Sequence, residues 1–146
     1  MADIFTKKKR SDIMSRIRSS GTKPEHALYH IVRTVLGHRW RIDRNVNTLP
    51  GRPDVVVPTL SLVIQAHGCF YHYCPSHGHF PKTNRAYWVP KIRRNIARDA
   101  SATRQLRSRG YTVWNIWEHA LKGKGLEVTY KKIDKRILKL RKCIGD

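Results

Sequence analysis

Residues 67–79, HGCFYHYCPSHGH, gather four histidines, two cysteines and three aromatic rings into one short segment. Cys69, Cys74 and His77 follow a C-x4-C-x2-H spacing, close enough for a tight loop to bring three soft or borderline donors around one Zn2+ ion. Tetrahedral zinc needs a fourth ligand. His119, in WEHAL after the last predicted strand, is the first candidate and His79 the second. A site closed by four protein ligands is structural.

A second chemical constellation is LPGRPDVVV. A rigid Pro-Gly-Arg-Pro turn that delivers Asp54 to the start of a buried strand fixes a carboxylate at a sheet edge, where it can hold Mg2+ against a phosphate. The next apolar run ends in QAH. Asp54 with Gln65 and His67 resembles the Asp…(Asp/Glu)-x-Lys arrangement of the PD-(D/E)xK nucleases, with Gln65 and His67 in place of acid and lysine. The third constellation is aromatic: Phe70 and Tyr71 adjoin Cys69, and Trp88 follows PKTNRAY. Neighbours on an extended segment point to opposite faces, so at least one of Phe70 and Tyr71 is expected to face outward. There an aromatic ring can wedge between base pairs.

A chain of 146 residues suits a single domain spanning 1–146. Its 30 Lys and Arg against 10 Asp and Glu give a net charge of +20, which points to a polyanionic partner. Nucleic acid is favoured over membrane, because no apolar run approaches bilayer length and MADIFTKKKR lacks the apolar centre of a signal peptide. A cytoplasmic location is therefore expected. Three cysteines, an odd number, argue against a disulfide framework. Cys143, left over near the end of a helical pattern, is expected to be a small, partly buried apolar residue.

Elements must hold these groups in place. Residues 1–23 read as a basic, Ser-rich arm that orders on its partner, with Lys7, Lys8, Lys9, Arg10, Arg16 and Arg18 as nucleic-acid contacts. EHALYHIVRTVLG carries Leu28, Ile31, Val32, Val35 and Leu36 at helical spacing and stops at Gly37. HRWRIDRNV, DVVVP and LSLVIQA read as strands, the last of them central. A zinc and catalytic loop over 67–85 leads to VPKIRRNIARDASATRQLRSRG, whose Val89, Ile92, Ile96, Ala100, Thr103 and Leu106 predict a helix with one buried face. YTVWNIW predicts a strand. TYKKIDKRILKLRKCI predicts a closing helix buried at Tyr130, Ile133, Ile137, Leu140 and Ile144. The order αβββαβα implies an α/β (α+β), three-layer domain around a mixed sheet.

Taken together, MSRIRSSGTKPEHAL, LPGRPDVVV, HGCFYHYCPSHG, PKTNRAYW, KIRRNIARD and WEHAL resemble, in order and spacing, the very-short-patch-repair (Vsr) DNA mismatch endonucleases over roughly residues 11–121. The resemblance implies a restriction-endonuclease-like core with a structural zinc. It also implies Mg2+-dependent nicking of one strand 5′ to the thymine of a T:G mismatch, such as arises when 5-methylcytosine deaminates. The implied partner is double-stranded DNA carrying that mismatch, with mismatch-repair proteins as further partners, for a monomeric protein of the bacterial cytoplasm.

Residue by residue, the resemblance makes Asp54 the metal carboxylate and lends the metal the backbone carbonyl of Ala66, where threonine is the better-known family residue. It makes His72 the general base, and Glu25 and His67 residues that position water or assist the leaving oxygen. Independent chemistry agrees, since histidine with its unperturbed pKa near ~6.5 serves as base or acid around neutrality. His72 lies between Cys69 and Cys74, so closing the zinc loop also fixes the base.

The chain departs from the family pattern at Cys74, where histidine is common, at His119, where cysteine is common, and at Tyr71, where tryptophan is more usual. Two alternatives carry different expectations. A sequence-specific nicking or restriction endonuclease would cut matched duplex, and a non-catalytic zinc-stabilised DNA-binding domain would leave Asp54 idle.

Overall fold

The computed structural model describes Lys8 and residues 21–145. Lys7, Lys9, Arg10, Arg16 and Arg18 of the expected basic arm lie outside the described residues, and Lys8 is exposed. The first described helix, α1, spans Lys23–Leu36. Thr22 caps it by accepting the Glu25 N–H, Pro24 sits in its first turn, and Gly37 at φ 79° ends it. Its inward stripe is Leu28, Ile31, Val32 and Leu36.

Four strands form one mixed sheet in the order β1-β2-β3-β4. These are β1 (Asp43–Arg44), β2 (Val55–Val57), β3 (Leu62–His67) and β4 (Thr112–Trp117). β1 is far shorter than HRWRIDRNV suggested. Only Asp43 and Arg44 pair with Val56 and Val55, before Asn45 turns to φ 48°. β2 and β3 are antiparallel across Val55↔Ile64, Val56↔Val63 and Val57↔Leu62. β3 and β4 run parallel from Leu62↔Thr112 to His67↔Trp117, so β3 is an inner strand as its apolar run predicts.

The two faces of the sheet carry separate cores. Val55, Val57, Leu62 and Ile64 pack with α1 and with Ile133 and Ile137, which belong to α3 (Gly125–Cys143). Val56, Val63 and Val113 pack with Leu106 on the other face, which belongs to α2 (Arg85–Ser108). A mixed sheet between helical layers results. Each fully buried Leu, Ile or Val contributes about 1.5–3 kcal/mol.

Both long helices correct the sequence reading in detail. α2 begins four residues before Val89, which leaves Pro90 inside it at the cost of one main-chain hydrogen bond. Its buried residues are Trp88, Ile92, Asn95, Ala102 and Leu106, whereas Ile96 is 40% exposed and Ala100 is exposed. The inward face is therefore rotated toward a polar seam. In α3, Ile133 and Ile137 are buried as expected, but Ile144 lies beyond the helix and is 49% exposed. Cys143, expected to be partly buried, is exposed, because it falls on the solvent side of the last turn.

Candidate active site and metal centre

The PGRP turn carries Asp54 to the mouth of β2. Gly51 adopts φ 75°, and a Cβ there would stand 2.8 Å from the Ala102 Cβ and 3.3 Å from Gln65 Nε2. Only glycine lets this turn close against α2. Arg52 follows at φ 47°, and Pro53 is buried.

Past the last β2–β3 pair, the Asp54 carboxylate takes the place of a strand partner and accepts the Ala66 N–H at 2.7 Å. In an extended strand a residue's N–H and C=O leave on the same side, so the Ala66 carbonyl lies on the same edge of β3 as this carboxylate. Burial pushes the Asp54 carboxyl up to about 6. The Ala66 N–H opposes this, and the nearby Glu25 charge adds to it.

A cleft of about 420 Å3 gathers Glu25, Asp54, Ala66, His67, Tyr71 and His72. Glu25 is buried and its Oε2 accepts the Gly21 N–H at 2.7 Å, a capping arrangement that fixes the carboxylate at the start of α1. The oxygens of Asp54, Glu25 and the Ala66 carbonyl are the hard donors that Mg2+ prefers. Two acids held close enough to raise a pKa are also what a cation would relieve.

His67 ends β3 and His72 lies in the loop beyond, with their rings stacked at 4.3 Å and 9°. His67 is buried and pairs through Nε2 with Gln65 Oε1 at 3.0 Å. Burial, with the neighbouring His72, lowers its pKa to about 4, so it is neutral at physiological pH. His72 Nδ1 is bonded to Asp99 on α2. Imidazole lone pairs lie in the ring plane, so two nearly parallel stacked rings do not converge on one ion. The set His67, His72 and Asp99 is therefore better suited to moving protons than to holding a metal. Asp99 was missed in the sequence, although it is the only acid in α2.

Cys69, Cys74, His77 and His119 place their donor atoms within 4.8 Å of one another. His119 Nδ1 stands 3.2 Å from Cys69 Sγ and 3.6 Å from Cys74 Sγ, and His77 Nδ1 is 4.0 Å from Cys74 Sγ. Zn–S and Zn–N bonds of ~2.3 and ~2.0 Å at tetrahedral angles require edges of about 3.5 Å, so this donor set fits zinc. His79 is exposed and outside the set, so His119 is the fourth candidate ligand. Glu118 Oε1 accepts the Cys69 N–H at 2.9 Å, which ties the loop to the end of β4. Burial raises the Cys69 thiol pKa; a bound cation reverses that preference and makes the thiolate.

Phe70, Tyr71 and Trp88 do come together. Phe70 lies 5.2 Å from Tyr71 and 5.1 Å from Trp88, both edge to face. Trp88 is buried, while Phe70 and Tyr71 are half-buried. The most exposed ring of the group is Tyr87, at 47%, packed 5.0 Å from Trp88. Asn95 Nδ2 donates to the Tyr71 carbonyl at 3.0 Å, so the polar seam of α2 holds both the aromatic loop and His72.

A carboxylate entering β2, a histidine ending β3 and a mixed sheet between helices are the frame of a restriction-endonuclease-like fold. The family described as DNA mismatch endonuclease Vsr matches residues 2–77. Type II nicking enzyme V.NaeI of Lentzea aerocolonigenes is 42% identical over 75% of this chain and 68% of its own length. Type II nicking enzyme V.NmeAIP of Neisseria meningitidis serogroup A is 40% identical over 86% and 89%. DNA mismatch endonuclease Vsr of Escherichia coli K12 is 36% identical over 85% and 78%. The chain belongs to the Vsr family of DNA mismatch endonucleases.

Proposed function

We propose that this protein nicks one strand of double-stranded DNA on the 5′ side of the thymine in a T:G mismatch, using Mg2+ and a fold held by structural Zn2+. The observation that carries the reading is the cleft. Glu25, Asp54, Ala66, His67 and His72 come from α1, the PGRP turn, β3 and the zinc loop, yet line one cavity.

Asp54 and the Ala66 carbonyl would hold Mg2+, which when bound supplies a polarised phosphoryl oxygen and charge neutralisation. His72 takes a proton from the attacking water as the P–O3′ bond breaks, its imidazolium is stabilised by Asp99 on the other ring nitrogen, and the departing 3′-oxygen takes its proton from water in the open cleft. Neutral His67, with its Nε2 turned to Gln65, orients His72 by stacking and gives the cleft a wall without charge. Glu25, anchored by the Gly21 N–H, positions water. A binding module without catalysis gives these side chains no reason to share a cleft.

The test incubates the protein and Mg2+ with T:G and matched C:G duplexes, each strand labelled separately. One-strand scission confined to the T:G duplex is expected. Cutting of both duplexes alike would establish the matched-duplex alternative, a reading that the similarity to type II nicking enzymes makes worth a dedicated arm. Tight binding with no scission at any divalent cation would end the catalytic reading.

A further inference from the structure

A second groove, of about 610 Å3, lies on the far side of the His67–His72 pair, between α2 and the outer half of β4. It accounts for the phase of α2. Ile96, Ala100 and Thr103, the residues whose spacing marks an inward apolar face, line this groove and leave Ile96 40% exposed. Among the described residues β4 is the edge strand on this side, and no further strand covers it. Trp117 and Tyr73 supply aromatic walls, and Arg104 and Arg107 bring two guanidinium groups to the rim.

We propose that this groove is a second nucleic-acid subsite, which receives unpaired nucleotides of the cut strand next to the nick. The inference rests on the nicking reading above and extends it to the product. Three features select the occupant. The volume lies in the ~300–1,000 Å3 range of small-ligand sites, room for one or two nucleotides and far too little for a duplex. Apolar and aromatic walls beside paired guanidiniums are the combination that binds single strands, by base stacking and phosphate contact.

The position also fits. Arg104 and Arg107 follow Asp99 by five and eight residues on α2, about 7.5 and 12 Å along the axis at ~1.5 Å per residue. Those offsets suit the phosphates of one or two successive nucleotides in an extended, unstacked strand, in keeping with the volume of the groove. A strand leaving the catalytic cleft past His72 and Asp99 therefore meets Arg104 and then Arg107.

The experiment compares three DNAs of one sequence: intact duplex, duplex pre-nicked with three unpaired 5′ nucleotides at the nick, and the same with three unpaired 3′ nucleotides. Binding is titrated over a salt series for the wild type and for an Arg104→Gln/Arg107→Gln double variant, both changes lying on an exposed helix surface. An Ile96→Ala variant probes the apolar wall. Loss of two phosphate contacts to a single strand should flatten the logarithmic salt slope by about 1.4 on one pre-nicked DNA. Affinity for that DNA should fall about tenfold or more, as expected for hydrogen bonds to charged groups, with the intact duplex nearly unaffected.

Equal losses on all three DNAs would mean ordinary duplex electrostatics and overturn the proposal. So would no loss on any of them. Because the nicks are made beforehand, these outcomes stay readable even if the wild type cuts nothing, a result that would sink the nicking reading instead.

Discussion

Asp54 is the residue on which proton affinity and the proposed catalysis meet. Its folded-state pKa of about 6 exceeds the ordinary 3.8, so the folded chain binds this proton more tightly than the unfolded one. The stability it contributes is fully present below the unfolded pKa of 3.8 and is lost as pH rises through about 6. In magnesium-free buffer at pH 8, Asp54→Asn should therefore be more stable than the wild type by about 1–3 kcal/mol, and the difference should vanish near pH 3.5. Urea denaturation at the two pH values measures both. The same variant should lose nicking by orders of magnitude while keeping its DNA affinity. His72→Ala should lose ~10²–10⁴-fold, and Asp99→Asn should lose part of that by leaving the base misoriented, measured as single-turnover rates. For the zinc proposed at Cys69, Cys74, His77 and His119, apparent binding energies of ~10–16 kcal/mol equal or exceed a typical domain's stability. Cys69→Ser should therefore yield poorly soluble protein, and elemental analysis should find one zinc per soluble wild-type chain; active protein without zinc would remove the ion from the fold. The donor types and short spacing of Cys69, Cys74 and His77 were readable in the sequence. Asp99 was not, because an acid on a helix says nothing about which histidine it will meet.

At the scale of elements, the PGRP turn is rigid in a way that can be tested. Gly51→Ala must place a Cβ 2.8 Å from Ala102 Cβ at φ 75°, so it should destabilise by about 1–3 kcal/mol. Because Asp54 rides on the same turn, nicking should fall further than stability alone explains, which a rate measured well below the melting temperature would show. The aromatic loop carries another expectation. If Phe70 belongs to a wedge, Phe70→Ala should cost ~1–3 kcal/mol of binding on T:G duplex and less on C:G duplex. Equal losses would assign the ring to packing against Trp88. The strands were legible as β-branched runs, and β3 as an inner strand from its unbroken apolar character. The start and phase of α2 were not. Periodicity ranked Ile96 and Ala100 as buried, whereas the contacts of Trp88 with Phe70 and of Asn95 with Tyr71 turn the helix toward the site. Its polar seam outranks its apolar one.

For the whole molecule, charge and layering were both visible early. A net charge of +20 implies binding that weakens steeply with salt, by ~0.9 logarithmic units per phosphate contact in duplex DNA. Changing Lys or Arg in the 7–18 segment should weaken matched and mismatched duplexes alike and flatten that slope, as parallel titrations would reveal. Three layers followed from the order of elements, and the structure adds which helix covers which face. The family resemblance grouped Glu25, Asp54, Ala66, His67 and His72, but no periodicity displayed that meeting of α1, the PGRP turn, β3 and the loop beyond it, since it depends on the β2–β3 pairing that sets Asp54 beside Ala66.

The pairing of β3 with β4 has a consequence for the protein's birth. His119 lies 50 residues after Cys69, and Glu118, which anchors the Cys69 amide, 49 residues after it. A chain emerging from the ribosome at ~5–20 residues per second thus exposes Asp54, His67 and His72 several seconds before the segment that brings Glu118 and His119 to the Cys69 loop. Until α2 has crossed over and β4 has docked, the nascent polypeptide is a basic thread whose His72 has not yet met Asp99. The cleft is complete only when translation has delivered Asp99 and Glu118 from the far side of the sheet.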